Sequence, residues 1–240
     1  MTPCVINPQR LKGEPRLPSI GILAVNPSDT SCFPELAQRY DLQRHFLFNA
    51  NLYCGNTLFL AGPAVGAPMA AICLEKIIAL GATRIILYGW CGALLPSLRI
   101  SDIFVPTSAL SEEGTSAHYL PPTASFDQSL QNALIETLTS RGYRPKQGPI
   151  WTTDAVYRET REKIETYGSR GVMAVDMEYA ALRAIAAFRQ VSLAAVMLVS
   201  DELFHQEWAS RIAHKSFRAD SQNLLDRLCA FIRSGEVIPL

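Results

Sequence analysis

Asp201 and Glu178 are the residues of this 240-residue chain best placed to do chemistry. Asp201 directly follows the apolar run 192–200, so its carboxylate falls at the end of a buried strand, in partly desolvated surroundings. Desolvation raises a carboxyl pKa, and a raised pKa suits an acid that donates a proton at neutral pH. The same position also suits a cap on a following helix, which is the commoner use of Asp after a strand. Glu178 stands at the start of an otherwise apolar helix with Met177, Ala180, Ala181, Leu182, Ile185 and Ala186. A carboxylate there gains from the helix dipole without any function, and equally offers two oxygens to a diol. Neither residue is diagnostic alone.

The elements that must position them alternate along the chain. Strands are expected over 20–25, 57–61, 84–88, 102–106, from Ile150-Trp151, over 172–175 and over 192–200. Helices are expected over 67–80, 126–140, 157–167, 177–188 and 208–232. Gly81 closes the first helix, and the turn-forming Asn26-Pro27-Ser28-Asp29, Gly62-Pro63 and Gly89 end strands. Such alternation predicts an α/β fold: a single domain with a mixed central sheet flanked by helices on both sides. Residues 1–17 read as a polar, proline-rich tail and 18–240 as the domain. In these sheets ligands collect at the carboxyl ends of strands. Those ends carry Asn26–Asp29, Gly62–Gly66, Gly89-Trp90-Cys91-Gly92, Asp176-Met177-Glu178 and Ser200-Asp201-Glu202.

Composition narrows the partners. Hydrophobic residues make up 48%, and 22 Lys plus Arg balance 22 Asp plus Glu. Zero net charge argues against a nucleic-acid partner held on a basic face. The apolar runs are strand-sized and too short to span a membrane, and the tail has no apolar signal core, which points to a cytoplasmic protein. Cys4, Cys32, Cys54, Cys73, Cys91 and Cys229 are scattered as reduced cysteines are, and no Cys/His cluster has metal-ligand spacing.

An ordered set of segments is more specific than any one of them. It comprises Gly62-Pro-Ala-Val-Gly-Ala-Pro68, Thr83-Arg-Ile-Ile-Leu-Tyr-Gly-Trp-Cys-Gly-Ala-Leu-Leu-Pro96 and Ser101-Asp-Ile-Phe-Val-Pro106. Further on come Glu113-Gly-Thr-Ser-Ala-His-Tyr119, Trp151-Thr-Thr-Asp-Ala-Val-Tyr157, Val175-Asp-Met-Glu178 and Ser200-Asp201. Across roughly residues 18–205 this order resembles the nucleoside phosphorylase superfamily, which includes purine nucleoside phosphorylases, uridine phosphorylases and methylthioadenosine nucleosidases. The resemblance implies cleavage of a ribosyl N-glycosidic bond. It makes Asp201 the acid that protonates a purine-type leaving base and Glu178 the grip on the ribose hydroxyls. Met177 then packs on the sugar, and Val156, Tyr157 and Ser200 are set against the base, although a tyrosine there equally suits a core position. The family assembles as dimers or hexamers, so a homo-oligomer is implied, with Arg44 and His45 reaching across an interface. The chemistry needs no metal or organic cofactor.

The chain departs from the family where phosphate binds. The early loop carries Asp29 in place of an arginine. At the central turn Leu87 stands at an arginine position and Trp90 at a hydroxyl position, leaving Arg44 as the remaining counterpart. A dianion entering such a site would lose hydration without charged donors to replace it. The expected activity is therefore release of a base from a small-molecule nucleoside, purine-type, with water favoured over phosphate as co-substrate and Asp29 positioning that water. The alternative is an inactive nucleoside-binding protein that keeps the fold. The arginine that supports the family's acid falls at His214, beside Lys215. Arg158, Thr160 and Arg161 lie where pyrimidine-type members place their donors, and read equally as a charged helix face.

Overall fold

In the computed structural model, which describes residues 4–119 and 128–237, the apolar runs become strands and helices in alternation. Chain order begins β1 (Ile20–Ala24), α1 (Pro27–Thr30), α2 (Phe33–Tyr40), β2 (Gln43–Leu47), β3 (Ala50–Cys54), β4 (Phe59–Gly62), α3 (Ala67–Ala79), β5 (Arg84–Ala93) and β6 (Ile103–Glu112). A 3-10 turn (Ser116–Tyr119), α4 (Ser129–Ser140), β7 (Lys146–Thr153) and a second 3-10 turn (Val156–Arg158) follow. The chain ends in α5 (Arg161–Ser169), β8 (Ala174–Asp176), α6 (Tyr179–Arg189), β9 (Ser192–Glu202), β10 (Ala209–Ser210) and α7 (Lys215–Arg233).

Strand β5 organises the sheet. One of its edges is shared: residues 84–88 run parallel to β1, and Gly92 and Ala93 then pair antiparallel with β8. Its other edge carries β9, in parallel. From β9 the pairing runs through β6, β7 and β8 back to β5, closing a five-strand ring, while β4, β3 and β2 continue as an open sheet beyond β1. This is the expected mixed sheet.

Helices cover both faces because side chains alternate across each strand. Leu23 and Val25, Ile85 and Leu87, and Leu193, Ala195 and Met197 pack under α3 and α6. Their neighbours Ile20 and Ile22, Ile86 and Tyr88, and Ala194, Val196 and Leu198 pack under α2, α4 and α7. Each fully buried Leu, Ile or Val contributes about 1.5–3 kcal/mol, so these two layers supply most of the drive to fold. A third cluster of Leu94, Trp151, Ile164, Val172, Val175 and Leu203 seats α5 against the ring.

Several elements differ from expectation. The β2–β3 hairpin and α2 are absent from the sequence reading, since Gln43-Arg44-His45 is polar, with Gln43 and Arg44 exposed and His45 half-buried. Strand β5 passes through Gly89 to Ala93, and β7 begins four residues before Ile150. The terminal helix starts at Lys215 rather than Trp208, because Ala209 and Ser210 pair with Glu202 and Asp201 instead. The helix start expected at Phe126 lies outside the described residues, as do residues 1–3 of the tail. Among the described residues no regular element precedes Ile20, and Lys76 ties the tail to α3 through Glu14 at 2.6 Å and the Gln9 carbonyl at 2.8 Å. No described helix is long and apolar enough to cross a membrane.

Candidate active site

Where β5 exchanges β1 for β8, the sheet forks and a cavity of about 480 Å³ opens. Val25 and Asn26 after β1, Trp90, Cys91 and Gly92 of β5, Val175–Glu178 and Ser200-Asp201 all reach it. The turn and loop residues Val156, Tyr157, Glu159, Gln206 and Trp208, with Arg161 at the start of α5, form its outer wall. The fork thus gathers strand ends that lie far apart in sequence.

Asp201 lies within β9 and caps no helix. The register of β9 on β5 slips by one residue, from Cys91↔Val199 to Gly92↔Asp201, leaving Ser200 as a bulge. Bulges re-aim side chains next to active sites. Here Ser200 Oγ donates to Asp201 Oδ1 at 2.5 Å, and the Trp208 indole donates to Oδ2 at 2.8 Å. Gly92 makes room: a Cβ there would stand 3.2 Å from Asp201 Oδ2 and 2.3 Å from Leu203 Cδ1. Burial raises the Asp201 pKa, against the lowering effect of those two donors. That direction suits a proton donor.

Glu178 occupies the first position before α6, but the capping is done by Asp176. The Asp176 carboxylate accepts from the Glu178 and Tyr179 amides at 3.1 and 2.7 Å and from Thr152 Oγ at 2.6 Å. Glu178 Oε1 instead accepts from the Gly66 amide at 2.7 Å, at the start of α3. Gly66 has φ +81°, a conformation that favours glycine. Burial, then the adjacent Asp176 charge, pushes the Glu178 pKa up. With Oε1 anchored, the rest of the carboxyl is available to a ligand, and Met177 lines the same wall.

Asp29 is fully buried and is not part of the cavity wall. This corrects the expectation that it meets water or phosphate directly. Ser221, brought by α7, donates to Asp29 Oδ1 at 2.6 Å and accepts from the Trp90 indole at 2.7 Å, so Asp29 holds Trp90 through Ser221. Trp90 also stands edge-on to Phe217, with centroids 5.1 Å apart. Among the described residues Asp29 Oδ2 has no hydrogen-bond partner, and Asn26 and Trp90 are polar neighbours of the carboxyl. Burial pushes the Asp29 pKa from its ordinary 3.8 to about 6.

A stability effect follows. The folded chain protonates Asp29 near pH 6 and the unfolded chain near 3.8, so this group disfavours folding above pH 6 and ceases to do so below about 4. Asp29→Asn is expected to stabilise the chain by about 1–3 kcal/mol at pH 7.5 and by much less at pH 4. Urea unfolding at the two pH values checks this, and an equal gain at both would contradict it.

The remaining expected site residues divide. Leu87 is fully buried in the apolar layer under α3 and α6 and does not line the cavity, because β5 turns alternate side chains to opposite faces. Arg44 also lies elsewhere within this chain: it bonds Asn51 at 3.1 Å beside a separate surface hollow with His45. Tyr157 is 97% exposed and Val156 46%, both at the cavity mouth, so the core alternative for Tyr157 does not apply. His214 precedes α7 and Lys215 opens it, both exposed and outside the cavity, and Trp208 contacts Asp201 where the sequence suggested them. Arg161 does line the cavity, but its guanidinium bonds the carbonyls of Leu203, His205 and Gln206 and ties down that loop. Glu159 and Trp208 are site residues the sequence reading missed. Burial, then the charge of Asp201, pushes Glu159 up to about 8.

Comparison with known proteins agrees with this fold. Residues 19–234 match the model of the phosphorylase superfamily. A DeoD-type purine nucleoside phosphorylase of Bacillus cereus (strain B4264) is 29% identical over 174 residues, 70% of this chain and 73% of its own length. Its counterpart in Bacillus thuringiensis (strain Al Hakam) gives the same figures. The solved purine nucleoside phosphorylase of Toxoplasma gondii, in complex with immucillin-H, shares the fold with a TM-score of 0.76 at 20% identity, over 98% of this chain and 99% of that one. Uridine phosphorylase from Vibrio fischeri ES114 also gives 0.76, at 16% identity over 97% and 98%. The chain belongs to the phosphorylase superfamily.

Proposed function

We propose that this protein cleaves the N-glycosidic bond of a purine-type nucleoside, with water accepting the ribosyl group. The observation that carries the reading is the meeting of Asp201 and Glu178 in one cavity at the sheet fork. Glu178 holds the ribose hydroxyls with the carboxyl oxygen that Gly66 leaves available, and Met177 packs on the sugar. Val156, Tyr157 and Ser200 flank the base. As the C1′–N bond lengthens, positive charge grows on the sugar and negative charge on the base. Asp201 gives its proton to the departing nitrogen, water bonds to C1′, and the proton that water loses restores the acid.

Water is favoured by the charge of the cavity. Glu159, Asp176, Glu178 and Asp201 line it, and its one basic residue among the described residues, Arg161, is committed to backbone carbonyls. A phosphate dianion would meet carboxyl groups in place of cationic donors. The phosphorylase names of the relatives favour phosphate instead, and a second copy could then supply Arg44. Phe46 and Phe48, 80% and 58% exposed on the β2–β3 hairpin, support such self-association.

Incubating the protein with purine and pyrimidine nucleosides, with and without phosphate, and measuring free base tests the reading. Release of a purine at an unchanged rate without phosphate is expected. Strict phosphate dependence would favour phosphorolysis, and ligand-induced thermal stabilisation without release would favour an inactive binder. Trp90→Ser is expected to open space beside Asn26 and raise the phosphate-dependent rate at least severalfold. No gain in that rate would show that Trp90 is not what excludes phosphate.

A further inference from the structure

We propose that Trp208 is a positioning residue for the acid: its indole N–H reserves Asp201 Oδ2 as an acceptor and so places the transferable proton on Oδ1, beside Ser200. The inference rests on the cleavage reading above and assigns which oxygen of the acid serves the leaving base.

Burial does not explain the place of Trp208. Its ring is 66% exposed, yet the indole reaches Asp201 Oδ2 at 2.8 Å. The backbone on either side is fixed. Arg161 holds the carbonyls of Leu203, His205 and Gln206 before it, and Ala209 and Ser210 pair with Glu202 and Asp201 after it. The Arg211 amide then bonds the Ser200 carbonyl at 2.9 Å. A side chain so exposed and so tethered serves its hydrogen bond rather than the core.

The two donors to Asp201 differ in kind. An indole N–H donates and cannot accept, whereas a hydroxyl does both. In a neutral carboxyl the carbonyl oxygen accepts well and the hydroxyl oxygen poorly. Trp208 therefore keeps its bond in the acid form with Oδ2 as the carbonyl oxygen, and the proton falls to Oδ1. Ser200 can follow that change. Its Oγ donates to Oδ1 at 2.5 Å in the anion, and in the acid the Cys91 carbonyl, 3.3 Å from Oγ, takes the same hydroxyl proton. As the Oδ1–H bond breaks and the base gains its N–H, Ser200 turns back to the new anion.

Among the described residues, the other titratable groups facing Asp201 give it no hydrogen bond. Glu159 approaches from the turn, Cys91 from β5, and Asp176 and Glu178 line the same cavity. Arg161 is spent on its carbonyls, and Glu202, next along β9, is taken by the Ile100 amide, Arg99 and His205.

NMR titration of the full chain tests the placement without turnover. Loss of a signal in Asp201→Asn identifies the Asp201 carboxyl carbon, and loss in Trp208→Phe identifies the Trp208 indole proton. The indole proton is expected to keep a hydrogen-bonded shift both above and below the Asp201 midpoint. Trp208→Phe is expected to raise that midpoint by about one pH unit, because the lost donor favours the anion. An indole released below the midpoint, or a midpoint unmoved in the variant, would overturn the inference. In turnover, Trp208→Phe is expected to lower kcat for a purine nucleoside about tenfold, with KM nearly unchanged. A 4-nitrophenyl riboside, which needs no acid, should be cut as before. Equal losses on both substrates would also overturn it. A raised midpoint and a retained indole bond, with no nucleoside cleaved, would uphold the placement and sink the cleavage reading.

Discussion

Asp201→Asn is expected to slow base release by about 10²- to 10⁴-fold, the usual contribution of a positioned general acid. The loss belongs in kcat, with KM nearly unchanged, because the proton moves only as the bond breaks. Both protein partners of Asp201 donate to it, Ser200 to one oxygen and Trp208 to the other. An amide keeps one acceptor, so the variant loses one of these bonds as well as the acidic proton. Two further results separate acid catalysis from general damage. Activity that needs protonated Asp201 falls as pH rises through its elevated pKa, and the variant's residual rate should lack that fall. A 4-nitrophenyl riboside, whose leaving group needs no proton, should be cut by variant and wild type within about tenfold of each other. Equal losses on both substrates would remove Asp201 from the acid role.

Glu178→Ala is expected to lower kcat/KM for ribonucleosides by about 10²-fold, the value of two hydrogen bonds to the sugar. For 2′-deoxynucleosides, which offer one hydroxyl fewer, the loss should be about tenfold, so the variant discriminates less between the two sugars. Removing the carboxyl also leaves the Gly66 amide without its acceptor, at a cost of about 1–3 kcal/mol. Glu178→Gln supplies the control, since its amide oxygen can still accept from Gly66. It should unfold at nearly the wild-type urea concentration while retaining part of the kinetic defect. A deoxynucleoside loss as large as the ribonucleoside loss would detach Glu178 from the ribose.

Legibility in the sequence followed how local each signal was. The alternating fold, and Asp201 and Glu178 at strand ends, were readable because apolar runs of strand length stop directly before or beside them. The roles of Trp208 and Glu159 were not. Trp208 begins a stretch whose apolar spacing suits a helix, and what makes it a site residue is the pairing of Ala209 and Ser210 with β9. Glu159 sits in the charged run 158–163, which reads as solvated surface until the turn over Val156–Arg158 folds it inward. Asp29 was legible as a departure from the family but not as a buried group. Its burial comes from Ser221, 192 residues away, and no local pattern predicts that contact. Leu87 shows the opposite limit: the family resemblance placed it with phosphate, whereas strand alternation turns it into the core.

The closed ring of β5, β9, β6, β7 and β8 also bears on solubility. Strands inside a closed circuit have both backbone edges occupied, so they offer no template to another extended chain. Among the described strands the ends of the pairing order are β10, two residues long, and β2. Growth by strand addition thus has one practical point of entry, and β2 guards it with exposed Gln43 and Arg44 on a five-residue edge. Whatever Arg44 does for a ligand, its charge also serves as a gatekeeper against runaway stacking when the protein is crowded or partly unfolded.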